Sequence, residues 1–249
     1  MAMSLRQRLA RAYFNAVYNP LYDASTARLA RYRETQARLA ERLAAGPGQR
    51  VLCAGLGTGN ELVQLRAREP SLRIAGIDLS RAALARARDK SSANASTTSL
   101  ALMDVQSLAF RDGSFERVLC YHVLDFVEEP SRTLGELLRV LAPGGRFVIS
   151  FPAGREDAGL GAALLSHGFN APGQSLRTRL SRLARTMLAG CIYLPLTLRR
   201  RPIAYSAEDV ISQLGSLGAV ETAVETDGIY RDHIASGIRE RKGGTSGAA

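Results

Sequence analysis

Tryptophan is absent from this chain, and aromatic residues make up only 6% of it. So few flat rings leave little surface on which unpaired bases could stack, which counts against a binder of single-stranded nucleic acid. Only three cysteines occur, Cys53, Cys120 and Cys191, and no two form a CxxC pair. That spacing argues against a disulfide framework or a zinc site and suits a reducing, cytoplasmic setting. Long apolar runs are missing too. The most apolar stretch, Met187 to Leu198, is too short to span a bilayer and contains Gly190 and Pro195. The N-terminal residues carry arginines and no apolar run, so no signal peptide is expected. Acidic side chains are absent from residues 158–207, which hold seven arginines.

What is present is an ordinary globular composition, 46% hydrophobic and 22% charged, with an unusual net charge of +10. A second basic block lies in residues 1–45. Such charge suits an anionic partner (nucleic acid, a membrane surface, an acidic substrate) or simply a solvated arginine-rich surface. The length allows one sizeable α/β domain with additions.

Periodicity divides the chain into five parts. Residues 1–45 read as a helical cap: Leu5, Leu9, Tyr13 and Val17 fall at four-residue spacing, Asn19-Pro20 breaks the pattern, and a second helix is expected over 26–44. Residues 46–151 alternate, with strands at 50–54, 72–78, 99–103, 116–121 and 146–151. Helices fall at 59–68, 80–90 and 131–141, with a polar linker over 91–99 and Ser80 and Ser131 as expected N-caps. Residues 152–205 form a helical insertion or lid with a basic helix near 174–189. Residues 206–240 supply a helix at 207–217 and strands near 219–226 and 229–238, turning at Asp227-Gly228. Residues 241–249 form a small, polar tail expected to lack structure. The expected fold is a doubly wound α/β domain, a mostly parallel seven-stranded sheet with an antiparallel closing strand, plus N-terminal helices and a helical insertion.

The chemistry is concentrated in Val51-Leu52-Cys53-Ala54-Gly55-Leu56-Gly57-Thr58-Gly59, a strand running into three glycines at alternate positions ahead of a helix. Glycine lets a backbone turn sharply and approach a ligand closely, and this is where doubly wound proteins hold nucleotide-like molecules. The nicotinamide fingerprint G-x-G-x-x-G needs glycine where this chain has Asn60, which disfavours a dehydrogenase. Further pieces follow in order: Gly76-Ile77-Asp78-Leu79-Ser80, Met103-Asp104-Val105, Phe115 to Leu124, and Leu141-Ala142-Pro143-Gly144-Gly145-Arg146-Phe147.

With these pieces at this spacing, the chain resembles the class I (Rossmann-like) S-adenosylmethionine-dependent methyltransferases, nearest to the small-molecule branch that includes ubiquinone and menaquinone biosynthesis methyltransferases. The resemblance implies that Gly55, Gly57 and Gly59 pack under the methionine and ribose parts of the cofactor. Asp78 would accept from both ribose hydroxyls, beside Leu79. Asp104 would take the adenine amino group, with Val105 packing nearby and Cys120 at the cleft mouth. His122 is the candidate general base, or else a histidine packed beside the cleft; Tyr121 is a candidate substrate or sulfonium contact, or else a core residue. Two departures stand out: Cys53 replaces the family's usual acidic residue, and Leu56 a commonly small or Cys residue. No Asn/Asp-Pro-Pro-Tyr element follows the fourth strand, which disfavours nucleic acid as acceptor. The resemblance implies methyl transfer to an O, N or C nucleophile of a small, hydrophobic or aromatic acceptor. Rival readings are a lipid or quinone enzyme touching anionic membrane through the basic helix, and a non-catalytic binding scaffold.

Overall fold

The computed structural model describes residues 30–153, 204–227 and 232–241, together with Ala12 alone. The expected helix over 5–18, the basic helix near 174–189, His167, Cys191 and Gly228 lie outside the described residues. Within them the order is α1 (Ala30–Leu43), β1 (Arg50–Ala54), α2 (Asn60–Arg68), β2 (Arg73–Asp78), α3 (Arg81–Ser91), a 3₁₀ helix (Ser92–Thr97), β3 (Thr98–Leu102), β4 (Phe115–Cys120), α4 (Pro130–Val140), β5 (Leu141–Phe151), α5 (Ala207–Ser216), β6 (Ala219–Thr226) and β7 (His233–Arg239). The strands form one seven-stranded sheet in the order β3-β2-β1-β4-β5-β7-β6. Strands β1 to β5 pair in parallel, and β7 runs antiparallel between β5 and β6. The expected mostly parallel sheet with an antiparallel closing strand is therefore the observed one.

Alternation along β1 explains the layering, since successive side chains leave opposite faces of a strand. Val51 and Cys53 join a core with Leu39 and Leu43 of α1, Leu62 and Leu65 of α2, and Ala87 of α3. Leu52 and Ala54 join the other core with Leu134 and Leu137 of α4 and Val210 and Leu214 of α5. A sheet buried on both faces needs apolar strands, and its polar ligands can approach only over an edge.

Two local expectations needed correction. The polar linker over 91–99 holds the 3₁₀ helix Ser92–Thr97 and then enters β3. Ser131 is not the N-cap of α4: Glu129 takes that place, because Pro130 at the first helical position needs no backbone N–H. Ser131 Oγ instead accepts from Gln213 Nε2 of α5 at 2.9 Å. Ser80 does cap α3, accepting from the Ala83 N–H at 3.1 Å, and Ser206 caps α5 in a reciprocal box with Asp209.

Candidate active site at the sheet edge

Strand order reverses between β1 and β4, and the carboxyl ends of the strands there open the crevice that serves as a ligand site in doubly wound sheets. The loop after β1 occupies that crevice. Gly55, Gly57 and Gly59 all have left-handed backbones, with φ of 69°, 57° and 84°. At Gly55 a Cβ would fall 2.2 Å from Val123 Cγ2, so this glycine lets the loop touch the segment after β4. At Gly57 nothing lies within 4 Å of a Cβ position, so the loop turns its bare backbone towards open space. Leu56, a departure from the family pattern, is buried and fills the room left by Gly76, where a Cβ would stand 2.4 Å from Leu56 Cδ2.

Asp78 ties the loop to the tip of β2. Its Oδ2 accepts from the Gly57 N–H at 2.9 Å and its Oδ1 from the Ser80 N–H at 2.7 Å. Burial pushes this carboxyl above the usual range, and backbone hydrogen bonds from Ser80, Gly57 and Leu79 pull the other way. A carboxylate offers about four acceptor positions, so capacity is left for a ligand's hydroxyls. Beside it Leu79 and Leu102 are exposed apolar side chains, at 38% and 42%, on adjacent strand tips. Asp104, one loop further, accepts from the Gln106 N–H at 2.9 Å, and its carbonyl accepts from the Ser107 N–H at 3.1 Å. The side chain thus shapes its own turn at the β3 end. Val105 and Cys120 are buried in the core, and burial pushes the Cys120 thiol up to about 12. What Cys120 presents to the crevice is backbone.

Glu61 escaped the sequence reading. It lies in the first turn of α2, half-buried, with Oε1 accepting from Gln36 Nε2 at 2.9 Å. Burial raises its pKa, and Gln36 and the charges of His122 and Lys90 oppose that rise. Its charge is also felt by the buried Cys53 thiol, which burial chiefly pushes up. A carboxylate is thus present near Cys53 after all, delivered by the helix instead of the strand. The available signal was a charged residue two places after the last glycine of a turn, where helix α2 begins to face the core.

Tyr121 and His122 follow β4. Tyr121 is buried, and its ring stacks on the imidazole with centroids 3.8 Å apart. His122 has a left-handed backbone, φ 55°, uncommon for a side chain with a Cβ. Its N–H donates to Ser150 Oγ at 2.7 Å, and its Nε2 lies 3.3 Å from Asp232 Oδ2. The structure therefore gathers Gly55, Gly57, Gly59, Asp78, Glu61, Tyr121 and His122 around one edge. His233, in β7, faces Thr226 across the strand pair at 3.4 Å. Among the described residues no group of three or more His, Cys, Asp or Glu is arranged to hold a metal.

A sheet of this order with a glycine turn, an acid on the second strand and a crevice at β1/β4 defines a nucleotide-cofactor domain of the Rossmann-like kind. Residues 52–149 match the family described as a methyltransferase domain. The chain is 36% identical over 105 residues to a demethylmenaquinone methyltransferase of Thermus thermophilus, covering 42% of this chain and 48% of that one. It is 36% identical over 117 residues to a phosphatidylethanolamine N-methyltransferase of Cereibacter sphaeroides, covering 46% and 56%. Among solved structures it is similar to magnesium protoporphyrin IX methyltransferase of Synechocystis with bound SAM, at TM-score 0.62 and 18% identity, over 96% of this chain and 100% of that one. The chain spans about half the length of these two curated relatives.

The residues present fit S-adenosylmethionine. The open side of Gly57 admits a ligand against bare backbone, Asp78 keeps acceptor capacity for a ribose, and Leu79 and Leu102 offer apolar walls for a flat base. Glu61 supplies an anion for a cationic ligand.

Proposed function

We propose that this protein transfers a methyl group from S-adenosylmethionine to an O, N or C nucleophile of a small, hydrophobic or aromatic acceptor, in the cytoplasm. The observation that carries the reading is the Gly57–Asp78 lock, in which a carboxylate at one strand tip fixes a bare-backbone turn at the next. Asp78 would hold the ribose hydroxyls, Asp104 and Val105 the adenine beside Leu79, and Glu61 the ammonium of the methionine part. Gly55, Gly57 and Gly59 let the chain pass close beneath, and the Cys120 backbone borders the far side. When bound, the cofactor supplies an electrophilic methyl group. The chain's part is to align the acceptor with it and exclude water, and alignment alone is worth roughly 7–11 kcal/mol. Tyr121 and His122 would face the acceptor, and a base at His122 adds about 10²–10⁴-fold for a hydroxyl that must lose its proton.

The names of two relatives, one acting on a menaquinone precursor and one on a phospholipid, favour a lipophilic acceptor and support a second reading, a lipid or quinone enzyme working at a membrane surface. Among the described residues no helix is long and apolar enough to cross a membrane, so that contact would be peripheral. Titration calorimetry with S-adenosylmethionine, followed by S-adenosylhomocysteine formation across an acceptor panel, tests the first reading. Cofactor binding with no by-product from any acceptor would point to a scaffold, and no binding would reject the proposal. Flotation with anionic vesicles tests the second.

A further inference from the structure

The imidazole of His122 lies against Tyr121 and Asp232, and its backbone N–H is held by Ser150. Tyr121, from the end of β4, stacks on the ring at 24° between planes. Ser150 of β5 accepts the His122 N–H. Asp232, just before β7, sets a carboxylate oxygen 3.3 Å from Nε2 and is itself 1% exposed. The left-handed backbone of His122 is what turns the ring into this position. Asp232 is in turn held: its carbonyl accepts from the Asp227 N–H at 2.7 Å, and the buried Asp227 carboxylate accepts from Thr35 Oγ1 of α1 at 3.1 Å. A carboxylate buried this fully has lost its water and is costly unless it faces a donor or a cation.

We propose that Asp232 is the positioning residue of a His122–Asp232 proton relay, and that the acceptor is accordingly a phenolic or enolic hydroxyl compound. With the proton on Nε2, 3.3 Å from Asp232 Oδ2, the imidazole keeps its lone pair on Nδ1, and the carboxylate stabilises the imidazolium formed when Nδ1 takes a proton. The acceptor hydroxyl gives its proton to Nδ1. Its oxygen pair forms the new bond to the methyl carbon while the carbon–sulfur bond breaks, its electrons staying on sulfur, and the imidazolium proton leaves to solvent. A neutral amine needs no such relay, nor does a carboxylate that arrives ionised. The relay rests on the proposed methyl transfer for its purpose but not for its existence.

The groups facing His122 are Asp232 from the β7 side, Glu61 from α2 and Tyr121 from β4. The test is Asp232→Asn, similar in shape but uncharged, read first by ¹⁵N-histidine NMR on the whole chain. The chain has three histidines, so His122→Ala assigns the signal. Expected are an Nε2–H tautomer in the wild type and a shift towards the Nδ1–H tautomer in D232N, whose amide can donate to Nε2. Turnover should fall at least tenfold, with S-adenosylhomocysteine affinity within twofold of wild type and partial rescue by Asp232→Glu. Adding Asp232→Asn to His122→Ala should cost nothing further. An Nδ1–H tautomer in the wild type overturns the relay even if D232N fails to fold, and so does an unchanged tautomer in D232N or a D232N that loses cofactor binding together with activity. Methylation of amines but of no phenol or enol overturns the acceptor class. Should the wild type bind no cofactor while the tautomer still shifts in D232N, the relay stands and the methyl-transfer reading falls.

Discussion

Glu61 and Gly57 sit four residues and one helix start apart, and each gives up stability for what it presents to the crevice. Burial holds the Glu61 carboxyl above the ordinary range, so the native chain keeps that proton more firmly than the unfolded chain does. Stability linked to this group is full below the unfolded value, about 4.3, and is lost as pH rises through the window up to the raised folded value. Glu61→Gln should therefore melt higher than wild type at neutral pH in the absence of ligand, with the difference closing near pH 4, as scanning calorimetry would register. The same variant should bind S-adenosylhomocysteine about tenfold more weakly, the value of one charge-assisted contact. It should leave 5′-methylthioadenosine, which lacks the amino-acid end, unaffected; equal loss with both ligands would remove Glu61 from that role. At Gly57 an added methyl meets no atom of the fold, so Gly57→Ala should cost only about 1–2 kcal/mol of backbone strain while abolishing ligand binding. Gly55→Ala, whose Cβ would collide with Val123, should lose far more stability. Denaturant titration beside calorimetry separates the two cases.

Elements were legible in the sequence where a local rule and the global layering agreed. The run from Val51 to Gly59 carries its own strand, turn and helix start, and Ser80 and Ser206 cap the helices their positions announce. The alternating strands and Asp227, followed by a returning strand, gave the sheet its order of pieces. Pairings that depend on distant segments were not legible: Asp232 meets His122 only because β7 inserts beside β5, 110 residues on from β4. Glu61 was hidden for the opposite reason, since a charged residue at a helix start reads as a dipole partner. Arg66 escaped as well. This buried arginine joins the end of α2 to the start of β3, donating to the carbonyls of Pro70 and Thr97 and to both Thr97 and Thr98 hydroxyls at 2.7–3.0 Å. Nothing in its neighbours marks it, because its acceptors, backbone carbonyls and two threonine hydroxyls, are brought together by folding. Arg66→Leu should strand several of them and lower stability by roughly 3 kcal/mol, measured by urea unfolding, while S-adenosylhomocysteine affinity of the folded fraction stays at the wild-type value.

At the scale of the molecule, the crevice is the place where the two halves of the sheet diverge, and a ligand there touches the tips of β1, β2 and β4 at once. The Asp78 carboxylate and the segment after β4 are joined through the glycine loop between them, by the Gly57 hydrogen bond on one side and the Gly55–Val123 approach on the other. A molecule spanning them binds the native state and has nothing comparable to hold in the unfolded chain. Mass action then fixes the size of the effect: ligand at about 100 times its Kd adds roughly 2.7 kcal/mol. In a domain of this length each kcal/mol moves Tm by about 2–4 °C, so S-adenosylhomocysteine should raise the wild-type Tm by roughly 5–11 °C. Asp78→Asn keeps the shape of the side chain, but its amide replaces an acceptor with a donor facing either the Gly57 N–H or the ribose. That variant should show a lower ligand-free Tm and little or no ligand-induced rise. NADH supplied at the same concentration should leave both proteins where they were, since the turn has Asn60 where the nicotinamide pattern needs its third glycine. A rise with NADH equal to that with S-adenosylhomocysteine would mean that the crevice reads only adenosine, and the amino-acid end would then have to be assigned to other residues than Glu61.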